Sequence, residues 1–336
     1  MSTPDLALPV TDPDLEQRLR SRLALVEKEL AGHVVGRAPF ITEAAAHLLE
    51  AGGKRFRPLL VLLAAECGDR SDSQEVITAA CVVELTHLAS LYHDDVMDEA
   101  ALRRGVDTAH ARWDNHVAIL TGDFLFSRSS ELTAELGPEA VRIQAQTFTR
   151  LVEGQIMETQ APGPGDDPIA HHLDVVAGKT GILIATSARY GAMFGGASPE
   201  VVQALTAYGD IVGAAFQISD DILDIASESA ESGKTPGTDL REGVPTLPVL
   251  FARRDAAGST DPADVRLLEL LDADLADDAL HAECLALLRG HRALDEARAY
   301  VVAEAEKAKR LLDALPQGPV REALEKFADI VAVRSR

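Results

Sequence analysis

The 336 residues are 46% hydrophobic, 26% charged and only 4% aromatic, at a mean hydropathy of +0.01, a balance that excludes both a disordered tail and a membrane-embedded chain. Lys+Arg 32 against Asp+Glu 54 leaves a formal charge of −22, which speaks against a protein that grips nucleic-acid phosphates, so any anionic ligand must be met by local cations. Abundant Ala and Leu with few β-branched runs favour helices packed on helices.

The N-terminus has acids and prolines where an export signal would have a basic start and an apolar run, and no stretch reaches about 18 consecutive apolar residues. A cytoplasmic chain without an integral membrane segment is expected. Asp12-Pro13-Asp14-Leu15-Glu16 opens a first helix, with Leu15, Leu19, Leu23, Leu25, Val26 and Leu30 near helical spacing. The pattern resumes at 41–50 and stops at Ala51-Gly52-Gly53, where paired glycines allow positive φ; Lys54-Arg55-Phe56-Arg57-Pro58 opens the next helix. Segments 58–67, 76–97, 117–136, 140–160, 171–194 and 199–227 read as buried or half-buried helices, separated by turn-rich breaks at 161–168, 195–196, 232–248 and 256–264. Length alone suggests about two domains. No break resembles a linker, however, so one domain is expected over 1–336, with an N-terminal helical segment at 1–35 and charged outer helices over 262–336. Cys67, Cys81 and Cys284 suit neither a disulfide framework nor zinc, and read as small core residues in a reducing compartment.

One unit recurs: Asp-Asp-x-x-Asp stands at Asp94-Asp95-Val96-Met97-Asp98 and at Asp220-Asp221-Ile222-Leu223-Asp224, each inside an apolar helical stretch. At 3.6 residues per turn, Asp94 and Asp98 lie about 40° apart and one turn along, so their carboxylates share a face; Asp220 and Asp224 do the same. The flanks, such as Leu85, Leu88 and Leu91 or Phe216, Ile218 and Ile225, are those of core-facing helices. Like charges there repel and lose hydration, so something cationic should neutralise them. With no thiolates or paired imidazoles nearby, hard oxygen donors suit Mg²⁺, completed by phosphate oxygens, and the implied ligand is a diphosphate. A single motif of this kind is as readily a solvated helix face; two of them in apolar helices favour the metal.

The cations complete the pattern. Lys54 and Arg57 stand at a helix start, where the dipole and free N–H groups favour an anion without metal. Arg103 and Arg104 follow Asp98 in a short turn closed by Gly105, and Lys179 and Lys234 each sit beside glycine. Taken singly, each is more readily a solubilising charge. His87 shares the face of Asp94 and reads as a phosphate or substrate contact, whereas His93 faces elsewhere and reads as structural.

Together these residues resemble the trans-isoprenyl (polyprenyl) diphosphate synthases. The resemblance is carried by Gly52-Gly53-Lys54-Arg55-Phe56-Arg57-Pro58, by 84–87, by the first aspartate motif with Leu102-Arg103-Arg104-Gly105, and by Thr121-Gly122-Asp123. It continues through Gly178-Lys179-Thr180, Phe216-Gln217-Ile218-Ser219 with the second motif, Gly233-Lys234, 237–243 and 246–248. It implies an all-α single-domain helical bundle of the class I isoprenoid synthase type with a central cavity, a homodimer, and a Mg²⁺-dependent condensation of isopentenyl diphosphate with an allylic diphosphate. It also implies metal binding by Asp94, Asp98 and Asp220, supported by Asp95, Asp221 and Asp224. Lys54, Arg57, His87 and Arg104 would hold isopentenyl diphosphate. Arg103, Lys179, Thr180, Gln217 and Lys234 would grip the allylic diphosphate, and Asp94, Asp98, Asp220, Lys179 and Arg103 would carry catalysis.

In the resembled family, an aromatic residue just before the first motif shortens the product. Thr86, Ala89 and Ser90 are small, which implies a medium- or long-chain all-trans product, with a farnesyl or geranylgeranyl product as the alternative. Tyr92, about 200° around the helix from Ser90, is not expected to plug the cavity. A class I terpene cyclase would have no use for Lys54, Arg57 and His87, and a non-catalytic partner subunit would be expected to have lost part of the motifs.

Overall fold

Asp12 accepts a hydrogen bond from Leu15 N at 2.7 Å, with Pro13 in the first turn, so α1 (Pro13–His33) starts where its sequence signals it in the computed structural model, which describes residues 6, 8–227 and 236–334. There follow α2 (Pro39–Glu50), α3 (Phe56–Ala65) and α4 (Gln74–Met97), then a two-stranded antiparallel hairpin of β1 (Leu102–Arg103) and β2 (Val106–Asp107). Next come α5 (Ala109–Arg112), α6 (Asn115–Glu135), α7 (Pro138–Glu158) and α8 (Pro168–Val176), a π turn (Ala177–Gly181), α9 (Ile182–Phe194) and α10 (Pro199–Ala226). The C-terminal part holds α11 (Thr238–Arg241), α12 (Leu247–Ala256), α13 (Pro262–Leu271), α14 (Asp278–Gly290), α15 (Arg292–Leu311), a 3₁₀ turn (Leu312–Ala314) and α16 (Pro319–Arg334).

Several acids of this acidic chain serve as helix caps: Asp114, Asp167, Asp261 and Asp277 each accept a hydrogen bond from a first-turn N–H of α6, α8, α13 and α14. Three details depart from the sequence reading. The helix expected over 171–194 begins earlier and is interrupted by the π turn; the break expected over 232–248 contains α11 and the start of α12; and Leu25 is half exposed while Leu15, Leu19, Leu23, Val26 and Leu30 are buried. Leu25 lies about 200° around the helix from Leu23, off the stripe the other leucines form.

By internal contacts the chain divides into two compact units, one of Met1–Thr149, Leu183–Gly209 and Leu312–Leu324, the other of Arg150–Ile182, Asp210–Leu311 and Glu325–Arg336. In the first, α4 packs on α6, α3 and α1. Tyr92, Tyr190 and Tyr208 are fully buried there, and each phenol donates to a carbonyl on another helix: Ala44 O at 2.5 Å, Ala140 O at 2.8 Å and Leu324 O at 2.7 Å. In the second, α12 packs on α15 and α8, with α13 and α14 beside it.

By length and composition α4 and α10 could cross a membrane, yet 72% and 50% of their apolar windows are buried in the fold, and each carries an aspartate motif at its C-terminal end. Cys81 and Cys284 are buried and Cys67 half-buried, all free, and burial pushes the thiols of Cys67 and Cys81 up to about 12 and that of Cys284 to about 11.

Candidate active site

The last turn of α4 separates the three acids of the first motif. Asp94 is half-buried and Asp98, the C-cap, is exposed, whereas Asp95 is fully buried and accepts a hydrogen bond from Arg103 Nε. Arg103 comes from β1, and the hairpin turns back through Arg104 and Gly105, both at positive φ (54° and 79°). Burial pushes the Asp95 carboxyl up against the pull of Arg103, and its Oδ2 is buried without a partner. Asp95 thus positions the hairpin arginine, and Asp94 and Asp98 remain as the pair on one face.

Cations gather around the end of α2 and the start of α3. Gly52, Gly53 and Arg55 all have positive φ, and Arg55, buried, bonds Glu84 Oε1 at 3.0 Å, Glu27 Oε1 at 2.6 Å and Leu49 O at 2.8 Å. Arg104 Nη1 donates to Leu48 O at 2.7 Å and to Gly52 O, so two guanidiniums meet the terminal carbonyls of α2. Burial draws Arg57 down to about 10, Arg104 adds to the effect and Glu84 opposes it; the Arg57 Nε is buried without a partner. The imidazole of His87 is held well below its usual range by burial and then by Arg57, Arg104 and Arg103. Mutual repulsion of this kind marks a place that gains by receiving an anion. Lys54 is exposed beside it.

In the same unit a cavity of about 560 Å³ is lined by Phe126, Ser129, Thr133, Gln144 and Phe148 of α6 and α7, and by His93. The Phe126 and Phe148 rings are 4.3 Å apart, tilted by 59°. Thr86 Oγ1 bonds Ser129 Oγ at 2.8 Å and accepts from Gln144 Nε2 at 2.7 Å, so Thr86 braces this wall. Ala89 is buried and Ser90 Oγ turns to His87 O at 2.8 Å; neither is a lining residue. Tyr92 points to α2, away from a plugging position. His93 does pin α6, through Ile119 O at 3.0 Å, and it also lines the cavity; a Cβ on Gly122 would fall 2.2 Å from its Nε2, which explains the glycine.

The second unit treats its motif differently. Asp220 and Asp224 are half-buried on α10, while Asp221 is buried, accepts from Gln217 Nε2 at 2.9 Å and lies 4.0 Å from His172 Nε2. Burial raises the Asp221 carboxyl to about 7, Gln217 opposes this, and the neighbouring acids Asp239, Asp220 and Asp224 add to it. Asp224 also ties down the following chain: its Oδ2 accepts from Asp239 N at 3.0 Å and its carbonyl from Gly237 N at 2.8 Å. The π turn brings Thr180 Oγ1 to Gln217 Oε1 at 3.2 Å, and Lys179 Nζ rests on Glu158 Oε2 at 2.5 Å. A Cβ on Gly154 would stand 2.6 Å from Lys179 N, so only glycine lets α7 pass this turn. Lys234 lies outside the described residues.

Arg57, His87 and Arg104 therefore come together, as do Thr180, Gln217 and Asp221. Sequence reasoning gave no role to Arg55, Glu84, Glu158, His172, Phe126 or Phe148, whose partners are remote along the chain and leave no local signal. Among the described residues no three acids, histidines or cysteines converge tightly enough to hold a metal alone. The carboxylate pairs Asp94/Asp98 and Asp220/Asp224, oxygen donors only, fit a cation such as Mg²⁺, which keeps several waters and shares ligand phosphate oxygens.

A family model described as polyprenyl synthetase matches residues 38–288. Nonaprenyl diphosphate synthase of Mycobacterium tuberculosis is 46% identical over 316 residues, covering 94% of this chain and 93% of that protein. Heptaprenyl diphosphate synthase component 2 of Geobacillus stearothermophilus is 39% identical, covering 94% of this chain and 97% of that protein. Geranylgeranyl pyrophosphate synthase from Corynebacterium glutamicum, solved with calcium and isoprenyl diphosphate, is 44% identical with a TM-score of 0.87, covering 97% of this chain and 99% of that one.

Proposed function

The chain belongs to the polyprenyl synthetase family, and from that premise we propose that it joins isopentenyl diphosphate to an allylic diphosphate, repeatedly, to give a medium- or long-chain all-trans polyprenyl diphosphate. The observation that carries this reading is the division of charge into two kinds of diphosphate site. Paired carboxylates suit a metal-bound diphosphate, and the crowded Arg57, His87 and Arg104 suit one bound without metal.

Asp94 and Asp98 in one unit, and Asp220 and Asp224 in the other, would each hold Mg²⁺, which when bound would supply the charge withdrawal that lets the allylic diphosphate leave. Lys179, Thr180, Gln217 and Arg103 orient that diphosphate, and Lys234 belongs to the same set. Asp95 and Asp221 hold Arg103 and Gln217 in place rather than facing the ligand. Lys54, Arg57 and Arg104 grip isopentenyl diphosphate by charge alone, and His87, kept neutral, contributes an N–H. Held so, the second substrate keeps its diphosphate while its double bond is aligned on the allylic carbon, which is the proximity contribution. Apolar walls exclude water from the reacting carbons. The π electrons of isopentenyl diphosphate form the new C–C bond as the allylic C–O bond to diphosphate breaks, and the departing diphosphate takes the proton lost from the adjacent carbon, so the alkene is the nucleophile and no Ser, Cys or His nucleophile is required.

Support for the longer product comes from small residues beneath the first motif and from the cavity bounded by Phe126 and Phe148. A homodimer is supported by Ile119, Leu120, Val141 and Phe148, large apolar side chains exposed on α6 and α7. We also read 1–336 as one polyprenyl synthase domain working in the cytoplasm. The deciding assay supplies Mg²⁺, isopentenyl diphosphate and, separately, geranyl, farnesyl or geranylgeranyl diphosphate, with products sized by mass spectrometry after dephosphorylation. Elongation well past the geranylgeranyl length is expected; termination there would establish the short-chain alternative, and no elongation with any primer would overturn the prenyltransferase reading.

A further inference from the structure

We propose that His172 is a positioning residue for the second aspartate motif, the buried far end of a polar chain Thr180–Gln217–Asp221–His172 that fixes the π turn against α10. The inference rests on the diphosphate reading above and deepens it. Thr180 Oγ1 meets Gln217 Oε1 at 3.2 Å, Gln217 Nε2 meets Asp221 Oδ1 at 2.9 Å, and Asp221 Oδ2 faces His172 Nε2 across 4.0 Å. The side chains of His172 and Asp221 are 10% and 7% exposed, and His172 Nε2 is buried with no hydrogen-bond partner. A polar nitrogen in that position is costly unless it is used.

The geometry explains why two contacts are needed. His172 and Thr180 flank the join between α8 and the π turn, while Gln217 and Asp221 are one turn apart on α10. In an unbroken α-helix, residues eight apart differ by about 80° around the axis. The wider π turn rotates Thr180 back toward the face of His172, so both can meet the same helix. The Thr180–Gln217 hydrogen bond and the approach of His172 to Asp221, on one crossing, then limit the rotation of α10, and with it the direction of Asp220 and Asp224. They also fix the seat of Lys179, next to Thr180. The remaining distance between His172 and Asp221 is about 1 Å more than a hydrogen bond, and closing it would give the buried Nε2 its partner.

The test measures binding of inorganic diphosphate with Mg²⁺ by calorimetry in the full-length protein. His172→Leu is expected to weaken it by about tenfold or more. His172→Gln, whose amide reaches about as far as the imidazole Nε2, is expected to stay within about threefold of the unmutated protein, as a rescue by conserved polarity. Metal-free binding of isopentenyl diphosphate should not change in either variant. A folded His172→Leu protein with unchanged diphosphate affinity overturns the inference alone; failure of the unmutated protein to bind diphosphate overturns the functional reading and the inference with it. Should His172→Leu not fold, the imidazole ¹⁵N resonances of the unmutated protein decide: movement of His172 Nε2 on adding Mg²⁺ and diphosphate supports the role, and an unmoved signal overturns it.

Discussion

The two aspartate motifs have the same spacing and different surroundings. In each, the first and last acids share a helix face and the middle acid turns inward, but Asp95 meets the guanidinium of Arg103, while Asp221 accepts from the neutral amide of Gln217 and lies 4.0 Å from the imidazole of His172. One buried carboxylate has a full counter-charge and the other has only dipoles and more acids around it, and this is why Asp221 is the one raised to about 7. The same pentad can therefore anchor a hairpin by an ion pair in one unit and a polar chain in the other.

The largest effect tests what the motifs share. Asp94→Ala and Asp220→Ala should each lower turnover by about a hundredfold to a thousandfold with circular dichroism unchanged, and normal turnover in either would remove the metal assignment. Next comes what divides them. Asp95→Asn strands Arg103 beside a buried amide and should cost about 3 kcal/mol in urea unfolding, whereas Asp221→Asn keeps its neutral partners and should cost about 1 kcal/mol or less. Equal losses would erase the contrast.

A third effect belongs to the first unit. His87 sits well below its ordinary 6.5 in the folded protein, so on acidification the unfolded chain takes up a proton that the folded one refuses. Stability attributable to this site is present above about pH 6.5 and falls below it, by up to about 1.4 kcal/mol per pH unit, until the folded pKa is reached. His87→Gln should flatten that slope between pH 6.5 and 5 in thermal unfolding, and an unchanged slope would contradict the buried cation cluster. The smallest effect is at Glu158. Its pair with Lys179 is about a third exposed on both sides, so Glu158→Gln should change stability by no more than about 0.5 kcal/mol, while releasing Lys179 should shift KM for the allylic substrate rather than unfolding.

Local patterns made much of this legible. Leu15, Leu19, Leu23, Val26 and Leu30 announced a buried stripe, Asp12-Pro13 a helix start, and the i, i+4 acids two pairs of carboxylates left outside the core. The π turn was not legible, because nothing in Ala177-Gly178-Lys179-Thr180-Gly181 alone distinguishes a wide turn from an α turn. Its cause is remote: Gly154 of α7 and Gln217 of α10 press on it from elsewhere in the chain. The cavity wall in the first unit was legible only in part. Thr86 stands out in the sequence only as a small residue near the first motif, whereas in the structure it braces a cavity whose rings, Phe126 and Phe148, come from the next two helices.

The sequence by itself determined the all-helical class, the spacing of the two carboxylate pairs and the run of cations near the first of them, since helical periodicity and the chemistry of side chains act over a single turn. Only the tertiary structure decided which acid of each motif is buried and with what partner, and that Arg55 and Arg104 meet the end of α2 while Arg57 and Arg104 press on His87. Those outcomes depend on desolvation and on contacts between residues tens of positions apart, and both exist only once the helices have packed.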